Sequence, residues 1–211
     1  MGMISPERAI QLAWAIWIVS WLLAAGWSRK TVKRAGRRAE RLHLWITLAG
    51  FVMILLTRDA PWDPSREQWA FPALGYEPLK LWITPPAAGW MLLGLAVAGF
   101  LFCWWARLHL GQLWSGDVTR KADHRIVDTG PYRLVRHPIY TGLILAAIAT
   151  ALNKGSYVAF AGAALIWIGF WIKARLEERF LRKELGSEAY DGYAARTPML
   201  IPHPSFGRSA P

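Results

Sequence analysis

The 211-residue chain is 54% hydrophobic, holds 14 tryptophans and carries a formal net charge of +11. That is too apolar for an ordinary soluble domain, and the single cysteine, Cys103, excludes an intramolecular disulfide or a cysteine-built metal cluster. The positive charge is confined to segments flanking apolar runs, so membrane topology and anionic headgroups explain it better than nucleic acid does.

The apolar runs, in chain order, are 10–27, 42–57, 87–106, 138–152 and 156–172. A bilayer span takes about 20 apolar residues. The second, fourth and fifth runs are short enough that each alone could be a buried core helix. Five in one chain, flanked by tryptophan and arginine, predict five transmembrane helices. The first run lacks a basic segment before it and is followed by a strongly basic loop, so it reads as a retained helix rather than a signal peptide. Segment 28–41 carries seven Lys and Arg, 107–137 carries six, and the part after 172 carries seven, out of 25 in the chain. This asymmetry predicts an N-terminus outside and a C-terminus in the cytoplasm.

The external segment 58–86, rich in proline and aromatic residues, is expected to lie along the interface. Asn153-Lys154-Gly155 predicts a tight turn, making the last two spans an antiparallel hairpin. The pattern after 156 stays helical to Leu185, with Gly186 as the cap. At 1.5 Å per residue the helix is about 45 Å long and must project beyond the membrane. The fold class expected is thus an all-α, multi-pass integral membrane protein with about five spans and a cofactor pocket on the cytoplasmic face. It divides into N-terminal spans (1–106) and a catalytic-type region (107–211) with a cytoplasmic C-terminal extension.

Two polar clusters fall at one membrane face. Gly130 to Gly142 packs Tyr132, Arg133, Arg136, His137 and Tyr140 with two prolines immediately before an apolar run. The second cluster, Lys173-Ala174-Arg175-Leu176-Glu177-Glu178-Arg179, follows the next run. A hairpin brings the two together, where they could close over one ligand. There is no phosphate-binding glycine loop, no HExxH and no paired histidine spacing of a common zinc site, so no metal is expected. The turn-rich sequence around His124 and His137 suits a polar organic cofactor held by main-chain groups, aromatic faces and a few charges. Each cluster also has a plain structural reading. Arg136 and His137 could reach for headgroups, and Glu177 and Glu178 could pair with Arg175, Arg179 or Arg182 at helical spacing. Tyr190 and Tyr193 read as packing or interfacial anchors, and Trp104, Trp105 and Trp114 as an aromatic belt.

His124-Arg-Ile-Val127, Gly130-Pro-Tyr132, Arg136-His-Pro-Ile-Tyr140 with Gly142, Glu177-Glu178, Gly186, Tyr190, Tyr193 and Ile201-Pro202 together resemble the isoprenylcysteine carboxyl methyltransferase family. Phospholipid N-methyltransferases share the Arg-His-Pro-x-Tyr-x-Gly and Glu-Glu elements. The resemblance covers roughly 107–202. It implies an enzyme in the membrane, of the bacterial inner membrane, that uses S-adenosylmethionine on a lipophilic, membrane-resident acceptor, most like a carboxyl O-methyltransferase. It implies cofactor contacts at His124, Arg125, Ile126, Val127, Tyr132, Arg136, His137, Pro138, Ile139, Tyr140 and Glu177. The basic residue expected at the substrate falls on Lys173 or Arg175, with Glu178 beside them in the catalytic set. Asp117 stands where an amide-bearing contact would be sought, and stays unassigned.

The chemistry agrees with that implication. Glutamate can accept from ribose hydroxyls or offset a sulfonium, arginine and backbone N–H groups can take a carboxylate, and tyrosine can stack on adenine. Three other readings stand beside it: a phospholipid N-methyltransferase, an NADPH-dependent sterol-reductase-like enzyme, and a non-catalytic lipid-binding subunit. Membrane lipids are expected partners in all of them; nucleic acid is not.

Overall fold

A computed structural model describes residues 4–24, 26, 31–34, 37–55, 80–111, 114, 119–121 and 126–202. Its helices are α1 (Pro6–Ala24), α2 (Arg37–Leu55), α3 (Pro86–Leu110), the single turn α4 (Pro131–Leu134), α5 (Pro138–Lys154), α6 (Tyr157–Leu185) and α7 (Ser187–Arg196). Two short strands outside the helical expectation, β1 (Thr31–Arg34) and β2 (Thr119–Lys121), pair antiparallel. The five apolar runs thus map onto α1, α2, α3, α5 and α6. α3 runs unbroken across residues 106 and 107, where the sequence reading divided the chain.

α3 and α6 are each long and apolar enough to cross a bilayer by length and composition, while Arg41–Leu55 is a shorter apolar stretch. Leu23 is 82% exposed and Met91 77%, and Ile16, Leu22 and Leu101 are likewise exposed. A soluble monomer rarely exposes so many large apolar side chains, whereas lipid tails cover them at little cost.

Helices pack through small residues. A Cβ on Gly99 of α3 would come within 2.5 Å of the Gly142 carbonyl on α5, and one on Gly50 of α2 within 2.6 Å of the Gly162 carbonyl on α6. In a membrane such close approach replaces the hydrophobic driving force with van der Waals contact. Ala96, Ala146, Ala147, Ala149 and Ala163 fill the same seams. Around α1 the core is aromatic. Trp14 meets Phe100 edge-on at 4.7 Å, and its indole N–H donates to Thr150 Oγ1 at 2.9 Å, tying α1 to α5.

Trp104 and Trp114, expected in the aromatic belt, are half-buried and take part in packing at the end of α1. Both pack edge-on against Trp21, and the buried Arg107 guanidinium lies 3.6 Å from the Trp114 ring while donating to the Ala24 carbonyl at 2.6 Å. Arg107 therefore closes the end of α1 onto α3 instead of reaching for headgroups.

The α5–α6 hairpin forms as its turn chemistry dictates. Gly155 takes the left-handed conformation (φ 60°, ψ 39°) that caps α5, and Ser156 caps α6 by accepting from the Ala159 N–H. α6 ends at Gly186, φ 97°. At 29 residues it is about 44 Å long, so its final turns extend past a hydrocarbon core of about 30 Å. That overhang carries the second polar cluster to the start of α5.

Candidate active site

Two prolines set the local geometry. Pro131 starts α4 after Gly130, whose φ of 57° strongly favours glycine. The His109 ring fills the space where a side chain at Gly130 would sit, and its Nε2 pairs with Thr129 Oγ1 at 2.8 Å. Pro138 starts α5 and excludes the residue before it from the helical region, so His137 sits at φ −125°, ψ 64°. Residues 136 and 137 are consequently left outside both helices, with backbone donors to spare. The Arg136 N–H donates to the Pro198 carbonyl at 2.8 Å and the His137 N–H to Met199 at 3.1 Å. Thr141 Oγ1 donates to the Leu200 carbonyl at 2.7 Å. The segment after α7 is thereby fastened along the start of α5.

The glutamate pair does not form the helix-surface ion pairs that spacing alone allows. Glu178 is turned inward. Its Oε1 lies 2.8 Å from both Nε and Nη2 of Arg136 and 3.3 Å from His137 Nε2. The remaining Arg136 nitrogen, Nη1, donates to the carbonyls of Ala194 and Thr197. The Arg136 fork is occupied within the protein, holding α6, α7 and the 194–197 segment together.

His137 stands between both carboxylates, with Nδ1 3.4 Å from Glu177 Oε2 and Nε2 3.3 Å from Glu178 Oε1. A neutral imidazole has one N–H, so facing two carboxylates with two nitrogens favours the imidazolium. Burial works against that charge, but the hydrogen bonds and charges of Glu177 and Glu178 outweigh it and hold the His137 pKa above its ordinary value.

Glu177 is the more accessible acid, its side chain 18% exposed against 2% for Glu178. It accepts a 2.5 Å hydrogen bond from Tyr140 Oη. The Tyr140 ring lies between His137 (5.4 Å, 6° between planes) and Phe170 (4.9 Å, 13°), forming a stacked column. Lys173 Nζ is 5.3 Å from the Tyr140 ring centre.

Lys173 and Arg175 lie on different faces of α6. Lys173 and Glu177, one helical turn apart, share the inward face with Tyr140. Arg175 is exposed and lies over Trp171, 5.4 Å from its ring. The structure brings Lys173 to the cluster and leaves Arg175 outside it.

The other expected residues separate similarly. Tyr132 is buried, with its hydroxyl directed at the Ala106 carbonyl (3.5 Å) and its own carbonyl accepting from Tyr193 Oη at 2.7 Å. Burial pushes the phenols of Tyr132 and Tyr193 up, so both stay neutral donors. Pro138 is buried, and the Ile139 carbonyl accepts from Cys103 Sγ at 3.2 Å. Ile126 and Val127 are half-buried on the approach to Gly130. His124, Arg125 and Asp117 lie outside the described residues. Phe170, Thr141 and Thr197 join the site without having been singled out from the sequence. Phe170 lies seven residues before Glu177 on α6, a two-turn spacing that could have marked it.

Residues 92–183 match the isoprenylcysteine carboxyl methyltransferase (ICMT) family. Protein-S-isoprenylcysteine O-methyltransferase B of Arabidopsis thaliana is 32% identical over 40% of this chain and 43% of its own length. Methanethiol S-methyltransferase 2 of Bradyrhizobium diazoefficiens is 30% identical over 59% of this chain and 51% of its own. Nickel-cobalt-cadmium resistance protein NccN of Alcaligenes xylosoxydans xylosoxydans is 25% identical over 81% and 68%. The chain thus spans about half the length of the first two. The matched segment runs from α3 through the His137–Tyr140–Glu177–Glu178 cluster, and over that segment the chain is similar to the isoprenylcysteine carboxyl methyltransferase family.

Proposed function

We propose that the protein is a membrane-embedded, S-adenosylmethionine-dependent methyltransferase acting on a lipophilic acceptor, most like an isoprenylcysteine carboxyl O-methyltransferase. The observation that carries this reading is the juxtaposition of a partly exposed carboxylate, an imidazole between two carboxylates and a stacked tyrosine where α5 begins and α6 leaves the apolar zone. Five spans, with the N-terminus outside and the cluster facing the cytoplasm, agree with the five apolar helices and with the distribution of Lys and Arg.

The donor set fits the cofactor's chemistry. Glu177, the more exposed carboxylate of the cluster, can accept from hydroxyl or ammonium groups or offset the charge of a cationic sulfur. S-adenosylmethionine, when bound, supplies an electrophilic methyl group for one in-line displacement. The protein's part is to hold and orient. Glu178 and Arg136 fix His137, His137 and Tyr140 fix Glu177, and Lys173 is placed to face an anionic acceptor group. A carboxylate acceptor needs no general base, which agrees with both His137 nitrogens being turned toward Glu177 and Glu178. Ile126, Val127, Pro138 and Ile139 would add apolar and main-chain contacts, and His124 and Arg125 are proposed contacts by family resemblance.

A second reading has a specific support. The relative from Bradyrhizobium diazoefficiens is named for methanethiol, so a small thiol is the alternative acceptor. Purified protein incubated with radiolabelled S-adenosylmethionine and either prenylated cysteine, methanethiol or a total lipid extract separates these outcomes. Label in the prenylcysteine methyl ester, released as methanol by base, supports the first reading. Transfer to methanethiol alone supports the second, and no transfer to any acceptor overturns both.

A further inference from the structure

α6 carries a second polar feature that the proposed chemistry does not use. Arg175, Arg179 and Arg182, spaced four and three residues apart, line one recess of about 240 Å³ on the outer side of the helix. Arg175 and Arg179 are exposed. Asp191 of α7 meets Arg182 Nε at 2.6 Å, and the Tyr190 ring lies 5.2 Å from that guanidinium. The Asp191 carboxylate is 56% exposed, so solvent screens much of the pairing. Glu177 lies on the far side of α6 from the recess, while Glu178, one turn before Arg182, directs its carboxylate at Arg136 and His137.

The same helical face continues toward the bilayer through Trp171 and Trp167, four and eight residues before Arg175, which are 45% and 44% exposed. Arg175 itself lies against Trp171. An apolar aromatic strip leading directly into three guanidiniums matches one ligand shape: acyl chains below, a phosphodiester above. Guanidinium forks pair with phosphate oxygens more specifically than ammonium groups do. The arginines begin three residues beyond the apolar stretch of α6, which is headgroup depth.

We propose that Arg175, Arg179 and Arg182 form a binding site for the phosphate of an anionic phospholipid, distinct from the acceptor and cofactor cluster on the opposite side of α6. The inference rests on the membrane placement of α6 and not on methyl transfer. A protein inactive in every transfer assay can still show the lipid preference, and an active one can lack it.

The test uses the full-length protein in phosphatidylcholine nanodiscs containing spin-labelled phosphatidylglycerol or spin-labelled phosphatidylcholine. The motionally restricted fraction measures association with the protein. The expected result is a preference for phosphatidylglycerol in the wild type that falls about fivefold for each arginine lost, in Arg179→Gln and in Arg179→Gln/Arg182→Gln. Should the double variant fail to fold, Arg179→Gln alone carries the comparison, because that side chain is exposed. Inorganic phosphate at about 10 mM, where the Debye length is still tens of ångströms and screening is weak, is expected to leave the preference in place. Equal association of the two lipids with the wild type, or an undiminished preference in folded variants, overturns the proposal. Abolition by inorganic phosphate would assign the recess to a free anion and equally overturn the lipid site.

Discussion

Arg136 and Glu178, 42 residues apart, meet through two guanidinium nitrogens on a single carboxylate oxygen, each at 2.8 Å. With the Glu178 side chain 2% exposed, this pair is part of the interior and holds α6 against the start of α5. Removing one partner of a buried pair strands the other charge, which typically costs about 3 to 5 kcal/mol. Arg136→Met is therefore expected to lower Tm sharply and to release the 194–197 segment. Differential scanning calorimetry and limited proteolysis after α7 would read the two effects.

His137 gives the fold a pH dependence with a definite sign. Its pKa is raised in the folded state by Glu177 and Glu178 against the cost of burial. The stabilisation is complete below the unfolded value of about 6.5 and is lost as pH rises through the higher folded value. The difference in Tm between wild type and His137→Gln should be largest at pH 6 and shrink toward alkaline pH. A constant difference across that range would show that the imidazole does not titrate between the glutamates.

Tyr140→Phe tests the 2.5 Å bond to Glu177 without disturbing the ring column. A hydrogen bond to a charged group is worth about 1.5 to 3 kcal/mol. If Glu177 holds the cofactor, affinity for S-adenosylhomocysteine should fall about tenfold in protein that is still folded, beside the drop in Tm of a few degrees that loss of the bond itself brings. Tyr132→Phe is expected to alter it less, because that hydroxyl reaches only the Ala106 carbonyl at 3.5 Å.

Lys173 and Arg175 should behave differently. Lys173→Met is expected to raise acceptor KM or lower kcat/KM for an anionic acceptor while leaving cofactor affinity intact. Arg175→Gln, on the exposed side of α6, should do neither to a comparable degree. Kinetics with a carboxylate acceptor and its amide analogue would separate the two. An equal loss in both variants would mean that the acceptor contacts the outer face.

The α3–α5 seam admits no side chain at Gly99, where a Cβ would sit 2.5 Å from the Gly142 carbonyl. Gly99→Val should cost about 1 to 3 kcal/mol or more through overpacking. Because the seam also sets where Pro138 begins α5, the variant should lose ligand binding beyond what its Tm explains.

Much of this arrangement was legible in the sequence. Apolar runs located the five long helices, and Asn153-Lys154-Gly155 and Gly186 located two of their ends. The inward position of Lys173 was also available, because it lies one helical turn from Glu177 while Arg175 lies two residues away. What local pattern could not supply were contacts made over long separations. Pairing of residues 136 and 137 with 198 and 199 depends on Pro138 leaving backbone donors for a returning segment. The division of labour between adjacent glutamates depends on which way α6 turns at the hairpin. Arg107, indistinguishable in sequence from the other basic residues at a span end, is buried because Trp21 and Trp114 converge on it.

The central claim is that the His137–Tyr140–Glu177 cluster holds the methyl donor. Isothermal titration of the wild-type protein in nanodiscs with S-adenosylhomocysteine tests it most directly, beside Glu177→Ala and His137→Ala. The account predicts saturable binding by the wild type and none, or at least tenfold weaker binding, in both variants while they remain folded. Absence of binding to the wild type, or unchanged affinity in the folded Glu177→Ala protein, would contradict it.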